Sequence, residues 1–262
     1  MGVIWFILWV VLCHDEPPMH PCIRKSELDY LTENVEPAHT VKLPPWKGMF
    51  TNVPFWALVM VQWGHSWGLF SPMTDLPKFM KDVLDYNVSR SGYMSASPWL
   101  LMWALSLIFG WISDYLIAKG KFSYTVARKV FSSIAQIGPA VFIAAASMPG
   151  IRNWPGGPNI SCGFIVIGFG LMGAFLPGFR VNALDISPKY AGTVTGITNG
   201  LGALAGVFAS LIAGLLTKGL TDKKDLEWAW FYNFSIGSLW LISTDIIFVI
   251  WGTADIQPFN DM

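Results

Sequence analysis

Charged residues are scarce in this chain. Asp, Glu, Lys and Arg make up 13% of the 262 residues, and 17 acidic and 17 basic residues give a formal net charge of zero. Without an overall positive field the chain cannot attract a phosphate backbone, so we exclude nucleic-acid binding. So little charge is also unusual for a water-soluble domain of this length.

Cysteine is rare too, and motifs of metal-dependent catalysis are missing from the sequence. Cys13, Cys22 and Cys162 show no CxxC or Cys/His spacing, so we expect free thiols, no disulfide and no metal site. There is no HExxH motif and no pair of intramembrane aspartates of the protease kind. We therefore expect neither enzymatic activity nor a cofactor.

Long apolar stretches dominate what remains. Hydrophobic residues form 53% of the chain, and the mean hydropathy is +0.47. About 20 helical residues cross a hydrocarbon layer roughly 30 Å thick. Six segments are long enough: 52–71, 95–117, 127–149, 160–179, 190–217 and 229–252. The sequence predicts an all-α, multi-pass integral membrane protein with a six-helix bundle over residues 51–253.

The apolar run 2–13 is too short to cross a bilayer. It fits a signal peptide, an interfacial helix, or the tail of a spanning helix that begins upstream of Met1. No basic residue precedes the run and no small-x-small cleavage site follows it, which disfavours the signal peptide.

Orientation follows from the basic residues of the loops. Ten of the 17 Lys and Arg residues fall in 14–50, 118–130 and 180–189, so these segments and the tail 254–262 are predicted to be cytoplasmic. The sequons at Asn87 and Asn159 fall on the opposite face, where we predict N-glycosylation.

The loop that follows the second full helix combines an acid with a basic cluster. Asp114 lies near the helix end, four residues after Gly110 and shortly before Lys119 and Lys121. An acid at a helix end is costly unless it is partnered. We expect Asp114 to clamp a neighbouring helix end or a basic residue.

Several segments resemble one transporter family. GWISDYLIAKGK (110–121) resembles the loop motif of the major facilitator superfamily. GFRVNALDISPKYAG (178–192) and GITNGLGALAG (196–206) resemble the penultimate-helix signature of its anion:cation symporter family, which includes type I phosphate transporters, sialin and vesicular glutamate transporters. DEPPMHPCIRKSELDYL (15–31) is similar to that family's central loop, and PWKGMFTNVPFWALV (45–59) to the start of its seventh helix. The insect phosphate-transporter branch is the most similar.

The resemblance implies a symporter of organic or inorganic anions such as phosphate, driven by sodium or protons, in a plasma, vesicular or lysosomal membrane. Residues 1–13 would end a truncated helix, 14–50 would be the central loop, and 51–253 the second of two six-helix bundles. The expected partners are a small anion, the lipid bilayer and the missing N-terminal half. A non-transporting truncated or regulatory membrane protein is the alternative.

The resemblance also points to substrate residues. His65 is a titratable group deep in the first full helix, where vesicular glutamate transporters have an anion-binding arginine, so a pH-dependent site is expected. Ser66, Trp67 and Tyr93 join it as predicted substrate-binding residues. Asn199 offers amide donors to a carboxylate or phosphate. His65 could instead be a neutral core residue that hydrogen-bonds a neighbouring helix, and Asn199 could bridge two helices.

Other positions are expected to be structural or gating. Gly196 and Gly200 belong to a series of small residues that recur at every fourth position. This series is predicted to pack closely against another helix. Asn182 and Asp185 follow the family motif at a hinge, where Asp185 is expected to cap the next helix. For Asp245, deep in the last helix, a packing partner such as Ser243 or Thr244 is expected and an ion pathway is the alternative, because the last helix is peripheral in the family fold.

Overall fold

The computed structural model describes residues 2–14, 17–34, 43–86 and 88–262, without the side chains of 88–95. Residues 1–43 and 44–262 form two compact units. The first unit contains helix α1 (Gly2–Leu12), a 3-10 turn at Pro17–Met19 and helix α2 (Lys25–Asn34). No residue of α1 is buried within the chain.

The second unit holds the remaining helices. They are α3 (Trp46–Phe50), α4 (Val53–Asp82), α5 (Val88–Ala118), α6 (Tyr124–Ala146), α7 (Gly157–Met172), α8 (Val181–Ile186), α9 (Ala191–Thr217) and α10 (Lys223–Trp251). A 3-10 turn at Gly173–Phe175 and a π-helical turn at Leu176–Arg180 join α7 to α8. Within the described ranges no β-strand occurs, and the predicted all-α class is confirmed.

In the described part of the chain, five helices are long and apolar enough to cross a membrane: 96–118, 124–146, 157–186, 191–217 and 223–251. The sixth predicted span lies in α4, which has 30 residues but carries His65 and, in its second half, Asp75, Lys78, Lys81 and Asp82. These polar groups lower its hydropathy. The chain is a multi-pass integral membrane protein.

Side-chain caps fix where several helices begin. The Asn52 side chain accepts a hydrogen bond from the Phe55 amide at 2.9 Å, and the Ser123 hydroxyl accepts one from the Val126 amide at 3.3 Å. Asp222 caps α10 in the same way. Each cap satisfies an amide that has no partner within its own helix.

The C-terminal segment packs on the helix ends instead of extending away. The Gln257 amide donates to the Ile186 carbonyl at 2.8 Å, the Asn52 side chain donates to the Gln257 side chain at 2.9 Å, and the Phe259 ring is fully buried. We call this side of the molecule, which holds residues 44–52, 187–190 and 252–262, the tail end of the bundle.

The opposite side is the far end, where ion pairs tie two loops to the start of α10. Lys223 and Asp85 are 2.6 Å apart, Arg152 and Glu227 are 2.8 Å apart, and Arg152 lies 3.7 Å from Asp85. The loops after α4 and α6 are thereby joined to the first turns of α10. Below them lies a buried apolar cluster that includes Phe79, Phe169 and Trp230.

Helices α5 and α7 approach closely where the chain has glycine. A Cβ atom at Gly173 would lie 2.6 Å from the Met102 carbonyl oxygen and 2.9 Å from the Ser106 amide nitrogen. These are backbone atoms, so neither can rotate away. By contrast, a Cβ atom at Gly163 of α7 would meet nothing within 4 Å among the described residues.

Gly173→Ala should therefore lower the free energy of unfolding by about 1–3 kcal/mol because the two backbones must separate. Gly163→Ala is the matched control and should be neutral or stabilising by up to about 1 kcal/mol, since alanine favours the helix. Thermal unfolding of the purified protein in detergent measures both. Equal stability of the two variants would contradict the close approach.

Candidate functional site

A layer of polar side chains crosses the bundle near its tail end. His65, Arg180, Asn199 and Asp245 come from four different helical segments of the second unit. Asn199 lies eight residues into α9 and Asp245 six residues before the end of α10, so both are roughly 9–12 Å along their helices from the tail end. Polar groups at such depth in apolar helices usually have a function.

The layer forms where the helix from 157 to 186 is interrupted. Gly178 has φ −78° and ψ −122°, which is not helical, and the turn around it is π-helical. A Cβ atom at Gly178 would lie 2.8 Å from the Ser132 amide nitrogen of α6. The interruption thus needs a residue without a side chain, and it redirects the two residues that follow it.

Arg180 is the residue that this interruption places in the layer. Its guanidinium is half-buried and donates a hydrogen bond to the Asn199 side-chain oxygen. Among the described residues no carboxylate pairs with it, so its positive charge is not neutralised. From the sequence alone Arg180 falls among the charges of the loop 180–189. The signal for its place in the bundle is an arginine two residues after a glycine near the end of an apolar helix.

His65 lies beside the same segment. Its ring stacks on Phe175 with centroids 4.8 Å apart and meets Phe179 edge-on at 5.1 Å, and the residue is 3% exposed. Arg180 acts electrostatically on it. Its Nδ1 has no hydrogen-bond partner, and in the described part of the chain no side chain bonds the ring. The structure thus shows no hydrogen bond from Nδ1 to a neighbouring helix, and the substrate role of His65 stays a prediction.

Ser66 and Trp67 point away from His65, since successive helical residues are about 100° apart. Ser66 accepts a hydrogen bond from Gln62 at 3.3 Å and packs against Gly202. Trp67 stacks on Trp240 at 5.8 Å within a buried cluster of α4, α9 and α10. The structure does not bring these two residues to the polar layer. The Tyr93 side chain lies outside the described residues.

Residues 64–68, GHSWG, also match the GxSxG pattern of serine hydrolases. In those enzymes the serine sits on a sharp turn between a strand and a helix. Here Ser66 is in the middle of α4 and 4% exposed. The match has none of the required context, so it does not indicate a nucleophile.

A second arginine near the layer is fully compensated. Arg128 Nε lies 2.6 Å from Asp185 Oδ2, its Nη2 lies 3.2 Å from Oδ1, and its Nη1 donates to the Pro177 carbonyl at 2.8 Å. Asp185 therefore does not cap α9, whose first turn has no side-chain cap. The clamp expected at Asp114 is formed by Asp185 instead; Asp114 is exposed and has no partner among the described residues.

Asn182 joins the interrupted segment to the end of α10. Its side chain is buried and donates to the Thr253 carbonyl at 2.8 Å. Gly196 and Gly200 are not at a helix contact, because a Cβ atom at either would meet no described atom within 4 Å. The close packing expected of them occurs at Gly202 and Gly206, against α4. Gly196 and Gly200 form an open face beside Asn199.

Only one of the two predicted glycosylation sites lies within the described residues. Asn87 lies outside the described residues. Asn159 is exposed at the start of α7, and its side-chain oxygen accepts a hydrogen bond from the Tyr86 hydroxyl at 2.9 Å. Its glycosylation stays a prediction. Among the described residues, no three His, Cys, Asp or Glu side chains cluster in a way that could hold a metal ion.

Comparison with known proteins gives the family. The family model of the Major Facilitator Superfamily matches residues 1–210. The chain belongs to the major facilitator superfamily. This agrees with the resemblance inferred from residues 110–121 and 178–206, and the relatives named next confirm the anion:cation symporter group.

This superfamily member is similar to three kinds of named transporter. It is 32% identical over its whole length to a Drosophila melanogaster protein assigned by name as an inorganic phosphate cotransporter, of which it covers 48%. It is 33% identical over 98% of its length to sialin of Ovis aries, covering 50%, and 30% identical over 99% to vesicular glutamate transporter 2.1 of Danio rerio, covering 44%. The chain spans about half the length of these relatives.

The Arg128–Asp185 pair should be strongly stabilising, since the side chains are only 8% and 15% exposed. Removing one partner leaves a buried charge, so Arg128→Ala or Asp185→Ala should cost roughly 3–5 kcal/mol of unfolding free energy. The exposed pair Lys189–Asp261, 2.8 Å apart, is the matched control and should contribute far less, because solvent screens it. Double-mutant cycles in detergent measure both, and similar coupling energies would contradict this role.

Proposed function

We propose that this chain is one six-helix lobe of a secondary transporter for small anions, and that it works with a second six-helix lobe. A sodium or proton gradient drives the transport, and no chemical reaction is catalysed. The observation that carries the proposal is the half-buried Arg180 guanidinium, held by Asn199 and facing no carboxylate among the described residues.

The charge of Arg180 is what an anion site requires. A guanidinium has five donors in a planar fork that fits a carboxylate or a phosphate, and it keeps its charge at all physiological pH values. Asn199 accepts from Arg180 and retains its own amide donors for the ligand. In a low-dielectric surrounding this attraction is much stronger than in water. An oxyanion is therefore the ligand class that the pair suits.

Interrupted helices support the same function. In transporters, substrates often bind where a membrane helix is broken, because the freed backbone lines a cavity. The break at Gly178 lies beside Arg180, and Gly196 and Gly200 leave the face next to Asn199 open. Two of the relatives, an inorganic phosphate cotransporter and a vesicular glutamate transporter, are named for anions.

Uptake into proteoliposomes tests the proposal. The chain is reconstituted alone and together with the N-terminal half of the Drosophila melanogaster relative, and radiolabelled phosphate, glutamate and sialic acid are offered with and without a pH or sodium gradient. Gradient-dependent uptake of at least one anion is expected. Absence of uptake in every arrangement would favour a non-transporting or regulatory membrane protein.

Arg180→Gln should weaken binding of the anion. The lost charge-assisted hydrogen bonds amount to about 1.5–3 kcal/mol, so the half-saturating anion concentration should rise by about tenfold to a hundredfold. Arg180→Lys should give a half-saturating concentration between those of wild type and Arg180→Gln, because lysine keeps the positive charge but lacks the planar donors of a guanidinium. Lys119→Gln removes one exposed charge and is the control. Unchanged concentration dependence in Arg180→Gln would exclude this role.

His65 should hold the segment that carries Arg180 in place. Its ring packs against Phe175 and Phe179, which belong to that segment. Replacing His65 with Gln should raise the half-saturating anion concentration, because Arg180 would be oriented less firmly. His14→Gln is the control. Equal concentration dependence in wild type and His65→Gln would exclude this role, and the pH dependence expected of His65 stays a prediction.

A further inference from the structure

Asp245 is a buried acid that the anion site does not use. The residue is 1% exposed in the last third of α10, and its Oδ1 has no hydrogen-bond partner among the described residues. The expected partners are occupied elsewhere: Ser243 donates to the Trp240 carbonyl at 3.1 Å, and Thr244 donates to the same carbonyl at 2.7 Å. The Ser133 hydroxyl of α6 lies within reach of the carboxyl instead.

No described charge compensates this acid. Helices α4, α6 and α9 pack against α10. Helix α9 has no titratable residue; α6 has Tyr124, Arg128 and Lys129, of which Arg128 is paired with Asp185. On α4 the ring of His65 faces the phenylalanines, and the remaining titratable residues, Asp75, Lys78, Lys81 and Asp82, lie toward the far end. None of them acts electrostatically on Asp245.

A carboxylate in such surroundings needs a cation. Burying an unpaired carboxylate costs several kcal/mol, so the charged form persists only while something positive joins it. Hard metal ions take about six or more oxygen ligands. Around Asp245 the described chain offers the Ser133 hydroxyl and, one turn along α6, the unpartnered side-chain oxygen of Gln136. That set is too small for a metal ion, whereas a proton needs only the carboxyl itself.

The packing register of α6 and α10 places these groups together. The Ser238 hydroxyl of α10 donates to the Ala140 carbonyl of α6 at 2.8 Å. The two helices run antiparallel, so moving seven residues along each leads to Asp245 and Ser133. Gln136 lies between these levels, and its amide nitrogen donates to the Val61 carbonyl of α4 at 2.8 Å. The acid therefore lies where α4, α6 and α10 meet.

Helix α6 also connects this acid with the anion site. Ser132 is the neighbour of Ser133, and its backbone touches Gly178, as the 2.8 Å distance to a Cβ atom there shows. Gly178 is the non-helical residue two positions before Arg180. A change of charge at Asp245 alters its interaction with Ser133, and the adjoining Ser132 lies against the interruption that orients Arg180.

We propose that Asp245 is the proton-carrying residue that couples anion transport to a pH gradient. Its carboxylate binds one proton from the side of higher proton concentration, and releases that proton on the other side with the anion; no other bond forms or breaks. The inference rests on the proposed anion transport, whose driving cation it names.

Comparing exchange with accumulation tests the coupling. Asp245→Asn keeps the shape but cannot carry a proton, so phosphate, glutamate or sialic acid exchange across proteoliposomes should persist while accumulation driven by a pH gradient is lost. Asp225→Asn, an exposed carboxyl on the same helix, is the matched control and should keep both. Accumulation that survives in Asp245→Asn would overturn the proposal. Loss of both activities in a stably folded Asp245→Asn protein would overturn it as well.

A second measurement does not depend on transport. Infrared spectra of the reconstituted chain, recorded as the pH is stepped, should contain a carboxylic-acid band that appears on acidification in wild type and Asp225→Asn and is missing from Asp245→Asn. Identical bands in all three proteins, or a band that sodium removes at constant pH, would overturn proton binding at Asp245.

The two measurements separate the two proposals. A wild-type protein that shows neither exchange nor uptake would reject anion transport, while the infrared band would still decide whether Asp245 binds a proton. A wild-type protein that exchanges anions but shows no band at Asp245 would retain the proposed function and reject the inference.

Discussion

The ion pair between Arg128 and Asp185 holds the part of the bundle on which the site depends. It fastens the first turns of α6 to α8, and the same arginine binds the Pro177 carbonyl, which the helix interruption leaves exposed to such a donor. Without this anchor the segment from 177 to 185 would have a loose backbone in an apolar surrounding, which is costly. The orientation of Arg180 follows from that anchor.

Charge compensation divides the two arginines into different roles. Arg128 meets a carboxylate and a carbonyl, so its charge serves the fold. Arg180 meets only a neutral amide among the described residues, so its charge is available to interact with a ligand. Burying an uncompensated guanidinium inside a bundle costs free energy, and no carboxylate among the described residues offsets that cost. Binding of the proposed anion would offset this cost.

The sequence predicted the helices well and the site only in part. Apolar length and loop charge located every long helix within a few residues at most ends, because hydrophobic length follows directly from bilayer thickness. His65 and Asn199 were found because a titratable group and an amide are unusual in such helices. Arg180 was missed because it was assigned to a loop, whereas the helical segment continues past Gly178. Partners such as Asp185 for Arg128, 57 residues apart, depend on tertiary packing.

The two ends of the bundle differ in how firmly they are held. At the far end, ion pairs among Asp85, Arg152, Lys223 and Glu227 join the loops after α4 and α6 to the first turns of α10. The tail end contains the non-helical Gly178, the unpartnered atoms of His65 and Asp245, and the open glycine face beside Asn199. Backbone interruptions and unsatisfied polar groups are where two packings can differ by little free energy. A binding event that changes the charge of this layer therefore acts where rearranging the helices costs the least free energy. The ion pairs of the far end keep that side of the bundle in place.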